Sequence, residues 1–376
     1  MKLLFLFFIL ISSAYGAQSD FIAQKQALGE KLFFDPILSN SRTQSCSTCH
    51  NPGFGFVDNR DNGVGGAASL GDNGKSLGDR NTPSAAYAML SPDFHFDKKS
   101  QQWIGGQFLD GREQDLKGQA GGPPLNPGEM NMLSKQALLT RFKNHPTYST
   151  QFKKIYGNNI FDNTDKAYLA MTKSIAEFEK TKFFAPFDSK YDRYLAGKYK
   201  LTDLEDLGRS LFFSDNGANC TTCHQLKKSD DAKGEAFSNY EYYNIGVPVN
   251  TALRAKNGVK TIDKGLLNNP KVNDVKQAGK FKTPSLRNIA ITTPYMHNGV
   301  FKELATVIVF HNKYIDKSRT TNPETNQPWA AAEVPETIDF NDLKKGKKLS
   351  DKKVNALVAF LKTLTDKRYE HLLKRN

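Results

Sequence analysis

The four cysteines of this 376-residue chain form two pairs with identical spacing, and a histidine directly follows each pair. The pairs read Cys46-Ser-Thr-Cys49-His50 and Cys220-Thr-Thr-Cys223-His224. One helical turn brings both thiols to one side, where they can add to the two vinyl groups of a haem while the adjacent imidazole binds the iron. Zinc ribbons and thioredoxin-like pairs do not require this histidine. The pattern therefore predicts two covalently bound haem c groups.

The same short sequence precedes both motifs. Leu-Gly-x-x-Leu-Phe-Phe occupies residues 28–34 and again residues 207–213. Thr202 and Glu205 form a capping box that starts a helix in the second copy. Near the C-terminus, apolar residues at helical spacing predict a last helix that packs on this one. We therefore predict a mainly α fold of two cytochrome c-like domains with long loops, each around one c-type haem, in residues 17–190 and 191–376.

Composition supports this interpretation. Hydrophobic residues make up 38% of the chain, which is low for a globular protein, and two porphyrins would supply additional apolar core. The 26 Phe and 14 Tyr residues argue against a disordered chain. The formal net charge of +13 favours acidic proteins or anionic surfaces as partners, and no nucleic-acid-binding motif accompanies it.

The first residues have the pattern of a targeting segment. Lys2 is followed by an apolar stretch, Leu3 to Ile11, and then by small residues around Gly16. This order is typical of a secretory signal peptide, and we predict one at residues 1–16. The alternative is a membrane anchor, which the short apolar stretch disfavours. The mature protein would then work outside the cytoplasm, where disulfides are permitted.

The second axial ligand of each iron decides what each haem can do, because a filled position favours electron transfer and an open one can bind peroxide. The histidines and the methionine that could serve are few: after the first motif His95 and His145, and after the second Met296, His297, His311 and His371. The residues alone leave one open haem as a hypothesis.

Two further blocks carry a resemblance to a known family. Residues 281–288 read Phe-Lys-Thr-Pro-Ser-Leu-Arg-Asn, and residues 293–299 read Thr-Pro-Tyr-Met-His-Asn-Gly. An Asp-Gly-Arg at 110–112 precedes Gln119, Pro123 and Glu129. With the two haem motifs, these blocks resemble the bacterial di-haem cytochrome c peroxidases and their MauG branch, over residues 24–366.

The resemblance implies roles for particular residues. The N-terminal haem, with His50 as proximal ligand, would be the peroxidatic one, with Glu129 as its acid–base residue and Gln119 beside it. The haem of His224 would transfer electrons. A calcium ion would be held by the Asn81 side chain and by the carbonyls of Thr292 and Pro294, an all-oxygen set that suits a hard cation.

The chain departs from the family pattern at three positions. Gly66 stands where many members carry a histidine that blocks the first haem, so that haem is expected to be open. Leu109 stands where a tryptophan usually lies between the haems, and Trp103 is a possible substitute. His311 stands where the second haem has Met or Tyr as distal ligand; we predict His311 as ligand, with Met296 as the alternative.

These features predict a periplasmic di-haem peroxidase that reduces hydrogen peroxide with electrons from a small redox protein such as cytochrome c or a cupredoxin. One alternative is MauG-like oxidation of a partner protein, although Ala218 occupies the position of that branch's relay tryptophan. The other is a two-haem electron carrier without catalysis. The resemblance also implies a possible homodimer.

Overall fold

The computed structural model describes residues 2–214, 217–226 and 235–374. In this part of the chain the α-helices are α1 Lys2–Phe34, α2 Cys46–Cys49, α3 Leu116–Gln119, α4 Lys135–Asn144, α5 Pro146–Tyr156, α6 Thr164–Glu179, α7 Lys190–Leu195, α8 Asp203–Phe213, α9 Thr251–Asn257, α10 Leu304–Asn312, α11 Phe340–Leu343 and α12 Asp351–Lys362. Short 3₁₀ helices include Pro123–Leu125, Cys220–Thr222 and the C-terminal Lys367–Lys374.

The strands of the described residues form three small antiparallel pairs: β1 His95–Asp97 with β2 Gln102–Ile104, β3 Tyr242–Tyr243 with β4 Phe281–Lys282, and β5 Thr321–Asn322 with β6 Gln327–Pro328. Long connections without regular structure join these elements to the helices. The prediction of a mainly α fold with long loops is confirmed.

Helices α1 and α6 cross in the first half of the chain. Leu28, Leu32 and Phe33 of α1 are buried against Met171 and Ile175 of α6. The backbones approach so closely at the crossing that a Cβ added to Gly29 would lie 1.9 Å from the carbonyl oxygen of Ser174. Only glycine permits this approach.

Helices α8 and α12 repeat the crossing in the second half. A Cβ on Gly208 would lie 1.9 Å from the carbonyl oxygen of Ala356. The predicted capping box is present, since the Thr202 hydroxyl accepts from the Glu205 amide. Ser350 occupies the N-cap position of α12, as its sequence suggested, without a side-chain capping bond. The repeated Leu-Gly-x-x-Leu-Phe-Phe sequence is thus the signature of one helix crossing used twice.

Two large buried clusters contain most of the core. One draws on residues from Leu28 to Ala185, and the other on residues from Tyr191 to Leu364. On this division we propose the domain boundary between residues 190 and 191.

The C-terminal segment returns to the first half of the chain. The Tyr369 hydroxyl donates to the carbonyl of Pro52 at 2.6 Å, and the Arg368 guanidinium lies 5.2 Å from the Phe56 ring. The last residues therefore pack beside the first haem motif, on the half of the chain to which they do not belong by sequence.

Among the residues that the structure describes, no helix combines the length and the apolar character needed to cross a membrane. The predicted signal peptide, residues 1–16, lies outside the residues whose side chains are described.

Candidate haem sites

The first haem motif forms helix α2, so Cys46 and Cys49 lie one turn apart. His50 follows directly, and its Nδ1 lies 3.2 Å from the carbonyl oxygen of Phe56. Phe56 is fully buried and has a φ of 59°. This backbone geometry turns its carbonyl toward the ring and leaves Nε2 as the nitrogen that would bind iron.

The second motif repeats this arrangement with different spacing. Cys220 begins a 3₁₀ turn, and Nδ1 of His224 lies 2.9 Å from the carbonyl oxygen of Phe237. Phe237 is also fully buried, with a φ of 56°. Burial lowers the pKa of His224 to about 4, which keeps the imidazole neutral as metal binding requires.

His311 lies on α10 and faces the same site. Its Nδ1 is 2.8 Å from the carbonyl of Val307, one turn earlier, which again leaves Nε2 as the nitrogen for a metal. The charge of His311, after burial, contributes to the lowered pKa of His224, so the two rings are close enough to interact. His311 and the alternative ligand Met296 both line the cavity beside His224.

That cavity has a volume of about 420 Å³, and Cys220, Cys223 and His224 form part of its wall. Much of the remaining wall is apolar, with Phe212, Leu304, Val307 and Leu361 among its residues. Two thiols, an imidazole with its Nδ1 already bonded, and an apolar wall are the features that a covalently attached haem requires. The residues that line this cavity therefore fit a covalently attached haem.

The thiols of both motifs are protonated in the protein without haem. Burial raises the pKa of Cys49 to about 11 and that of Cys220 to about 12, and it also raises that of Cys46. Thiols that remain uncharged in an apolar setting are poorly suited to a zinc site, where thiolates bind the metal.

Glu129 lies beside the first motif. It follows the 3₁₀ helix Pro123–Leu125, and Asn126 donates from Nδ2 to its Oε1 at 3.0 Å. Burial is the main cause that raises the pKa of this carboxyl, while Arg112 and Asn126 oppose the rise. Burial is also the main cause that raises the pKa of Cys46 and Cys49. The largest charge contribution comes from Glu179 for Cys46 and from Asp58 for Cys49, and Glu129 makes a smaller contribution to both. Its carboxylate is therefore within electrostatic reach of the haem attachment point.

Gln119 ends α3, four residues before Pro123. Its carbonyl accepts from Gly122, and its side chain is half-buried. The turn Gly121–Gly122 and the 3₁₀ helix after it carry the chain from Gln119 to Glu129. The roles of Gln119 and Glu129 in catalysis stay predictions.

The residues of the predicted calcium site come from both halves of the chain. The amide of Asn81 lies 3.4 Å from the carbonyl oxygen of Gly66 and 3.5 Å from that of Ala67. Asn81, Thr292 and Pro294 all line the same cavity wall. An amide and several carbonyls fit a hard cation. In the described residues no group of three or more His, Cys, Asp or Glu side chains forms another metal site, and the calcium site stays a prediction.

The structure places the residues at which the chain departs from the family pattern. His95 is exposed on strand β1 and bonds the carbonyl of Asp93, away from the haem motifs. Trp103 stacks on Phe94 at 4.8 Å in a small separate cluster, which gives it a packing role. Leu109 lines the cavity of the second haem. The position of the family's tryptophan therefore holds an aliphatic residue on this cavity wall, and its place between the two haems stays a prediction.

A family model for di-haem cytochrome c peroxidases matches residues 23–200. The chain is also 47% identical over 354 residues to the methylamine utilization protein MauG of Paracoccus denitrificans, covering 93% of this chain and 90% of that protein. This chain belongs to the di-haem cytochrome c peroxidase family. The cytochrome c551 peroxidase of Nitrosomonas europaea is 31% identical over 74% of this chain and 69% of its own length. The solved diheme peroxidase BthA of Burkholderia thailandensis superposes with a TM-score of 0.82 at 30% identity, over 92% of this chain and 86% of that one.

Membership confirms the family resemblance, the cytochrome c-like fold, two c-type haems and an oxidoreductase activity for this chain. The family includes both peroxidases and MauG proteins. Two features of the site had no sequence signal: the carbonyls of Phe56 and Phe237, which hold the proximal histidines. Their function depends on a positive φ, which phenylalanine does not favour and no motif encodes.

Proposed function

We propose that this protein is a periplasmic di-haem peroxidase that reduces hydrogen peroxide to water with electrons from a small redox protein. The observation that carries the proposal is the half-buried Glu129 carboxyl, electrostatically coupled to the Cys46–Cys49 attachment site. A carboxyl in this position supplies the acid–base group that peroxide cleavage needs.

A haem held by Cys46, Cys49 and His50 would supply the binding site for peroxide and the electrons that break its O–O bond. Glu129 accepts the proton from one peroxide oxygen and returns it to the other, so that the departing oxygen leaves as water. Asn126 holds the carboxyl through Oε1, and burial keeps its basicity above that of an exposed glutamate. Gln119 supports the site as a neutral hydrogen-bonding group.

We propose that the electron donor docks at the second haem motif. Gly346 packs against Gly217 and Asn219, immediately before Cys220, and the Lys347 amide donates to the Gly217 carbonyl at 2.9 Å. The side chains of the four flanking lysines are exposed: Lys344, Lys345, Lys347 and Lys348. We call these four residues the lysine rim. A positively charged rim at a haem edge favours an acidic donor and speeds its association.

MauG-like oxidation of a partner protein is the second candidate. The 47% identity to a protein named MauG favours it, as does His311 in place of methionine. Replacing a methionine ligand by histidine lowers the reduction potential, so oxidised forms of the second haem become easier to reach. Ala218 argues against that branch's own relay, because alanine cannot be oxidised.

Spectroscopy and turnover together test these candidates. In the resting oxidised holoprotein we expect one high-spin and one low-spin ferric signal by EPR. Steady-state peroxide reduction with a reduced cytochrome c as donor supports the peroxidase. Peroxide consumption without turnover of any cytochrome or cupredoxin donor supports the MauG-like alternative. Two low-spin ferric signals in the resting oxidised holoprotein, without a high-spin signal, would instead support an electron carrier without catalysis.

Three finer features belong to the same proposal. Export through residues 1–16 brings the chain to the periplasm, and cleavage is measured by N-terminal sequencing of the mature protein. Calcium binds at Asn81 with the carbonyls of Thr292 and Pro294, which calorimetry with the Asn81→Ala variant tests. A homodimer is checked by light scattering.

A further inference from the structure

A chain of buried contacts leads from the first proximal histidine into the interface between the two halves. Nδ1 of His50 bonds the carbonyl of Phe56, whose ring stacks on Phe184 with centroids 4.5 Å apart. The Phe184 carbonyl accepts from the amide of Tyr87 at 3.2 Å. Phe56, Phe184 and Tyr87 are each no more than 1% exposed.

A second chain of contacts arrives at Tyr87 from the other histidine. Nδ1 of His224 bonds the carbonyl of Phe237, and the Arg287 guanidinium lies 5.5 Å from the Phe237 ring. The same guanidinium lies 5.3 Å from the ring of Tyr87. Arg287 is fixed by a two-pronged ion pair with Asp192, at 2.5 and 2.9 Å, in which both side chains are buried.

Tyr87 is the oxidisable residue where the two chains of contacts meet, and it has a proton acceptor. Its hydroxyl donates to Oδ1 of Asp366 at 2.5 Å. Oδ2 of Asp366 accepts from Nδ2 of Asn288 at 2.9 Å, so both oxygens act as acceptors, as in a carboxylate. A tyrosine that loses an electron must also lose its phenolic proton, and this carboxylate can receive it without help from solvent.

We propose that Tyr87 is an electron relay between the two haem sites, with Asp366 as its proton acceptor. The inference rests on the proposed function, because hydrogen peroxide reacting at the first haem is the oxidant. Tyr87 gives one electron to the oxidised first site while its proton moves to Oδ1 of Asp366, which leaves a neutral tyrosyl radical. One electron from the second haem then reduces the radical, and the proton returns, so that tyrosine is restored.

Leu109 explains why a relay at another position would be needed. Leucine cannot be oxidised, and the neighbouring Phe108 is a poor electron donor, so this wall of the cavity offers no relay at the family's tryptophan position. Trp103 belongs to the cluster around Phe94 and does not line the cavity. Tyr87 does line it, and it also contacts the Phe184 carbonyl on the first-haem side.

The test uses the holoenzyme and its Tyr87→Phe variant, which keeps the ring and removes the oxidisable hydroxyl. Stopped-flow absorbance after mixing with peroxide reports the two haems at separate wavelengths. We expect an unchanged rate at the first haem and a rate at the second haem that is lower by about tenfold or more. In D₂O the wild-type transfer slows because a proton moves with the electron, and the variant loses this isotope effect.

Two further variants separate a relay from a packing role. Asp366→Asn keeps a hydrogen-bond partner for Tyr87 but takes up no proton, and it should slow transfer with resting spectra unchanged. Tyr148→Phe is the matched control, because the Tyr148 hydroxyl donates to Oδ2 of Asp35 at 2.6 Å and lies off the path. It should leave transfer at the wild-type rate.

Wild-type transfer rates with an intact isotope effect in Tyr87→Phe would overturn the relay while leaving the proposed function standing. Equal slowing in Tyr148→Phe would also overturn it, because the effect would then not be specific to the path. If the first haem of the wild-type protein does not react with peroxide, the proposed function fails and the relay fails with it.

Discussion

The two halves of the chain hold the histidines of their haem motifs in the same way and differ in the side chain that lies near each motif. In each half two helices cross at a glycine, and a buried phenylalanine with a positive φ bonds the imidazole Nδ1. Beyond that shared scaffold, the first half presents Glu129 near its cysteines, whereas the second presents His311 near His224.

Under the proposed function, this difference gives separate tasks to two copies of one fold. A carboxyl can move a proton but is a weak axial ligand, so the first site suits chemistry on a bound oxidant. An imidazole with its Nδ1 already bonded is a strong ligand, so the second site suits storage and transfer of electrons. Under this proposal the group near each attachment site decides the function of that site, and the predictions below alter one site at a time.

The largest effect is expected for Glu129→Gln, which preserves size and removes the base. We expect the second-order rate constant for the reaction with peroxide to fall by about 10²-fold or more, because general acid–base catalysis contributes on that scale. Stopped-flow absorbance of the first haem measures it. The matched control is Glu177→Gln, a half-buried glutamate of the same domain whose carboxylate pairs with Lys180. A wild-type rate constant in Glu129→Gln would show that Glu129 is not the acid–base residue.

The pH dependence of the same rate sharpens this assignment. Burial raises the pKa of Glu129, and the base form exists only above that pKa. The rate should therefore be full at neutral pH and decline as the pH falls through a value above that of an exposed glutamate. This acid limb should be absent in Glu129→Gln, and its persistence there would assign the titration to another group.

The next largest effect should come from His311→Ala, which makes the second site resemble the first. We expect the low-spin ferric EPR signal of the second haem to convert to high spin, and added imidazole to restore it. His95→Ala changes an exposed histidine and should leave the spectrum unaltered. An unchanged spectrum in His311→Ala would transfer the ligand role to Met296.

Stability should respond equally in both halves to alanine at the crossing glycines. Gly29→Ala and Gly208→Ala each place a Cβ within 1.9 Å of a backbone carbonyl, and neither backbone can yield easily. We expect each to lower the free energy of unfolding by about 1–3 kcal/mol, as overpacking does. Gly78→Ala, whose nearest atoms lie at 3.7 Å, is the control. Thermal denaturation of the holoprotein measures the stability of all three variants. If Gly29→Ala or Gly208→Ala were as stable as Gly78→Ala, the close helix crossing in that half would be contradicted.

The smallest effect concerns the lysine rim. Lys347→Gln combined with Lys348→Gln should lower the association rate constant with an acidic donor by several-fold at low salt, with little change at high salt. The double variant Lys98→Gln with Lys99→Gln removes the same charge from an exposed position in the first domain. Stopped-flow reduction of the second haem across a salt series compares them. An equal loss of association rate in the two double variants would indicate only a general effect of net charge.

Much of this architecture is readable from the sequence because it depends on local patterns. The haem motifs, the repeated Leu-Gly-x-x-Leu-Phe-Phe and the Thr202–Glu205 cap each lie within a few residues. Helix α6 was not predicted, since nothing in its sequence marks it as the partner of α1. The pairing of Tyr87 with Asp366 joins residues 279 positions apart, and no short motif can encode such a contact.

The return of the C-terminus to the first half has a consequence for maturation. Tyr369 caps the carbonyl of Pro52, two residues after His50, and Leu372 packs with Ile291 and the nearby Phe54. The contact of Tyr369 with Pro52 joins residues 317 positions apart, so a segment made late in synthesis covers residues beside the first attachment site. We therefore expect attachment of the porphyrin at Cys46 and Cys49 to precede docking of this segment, and removal of residues 367–374 to expose Pro52 and Phe54.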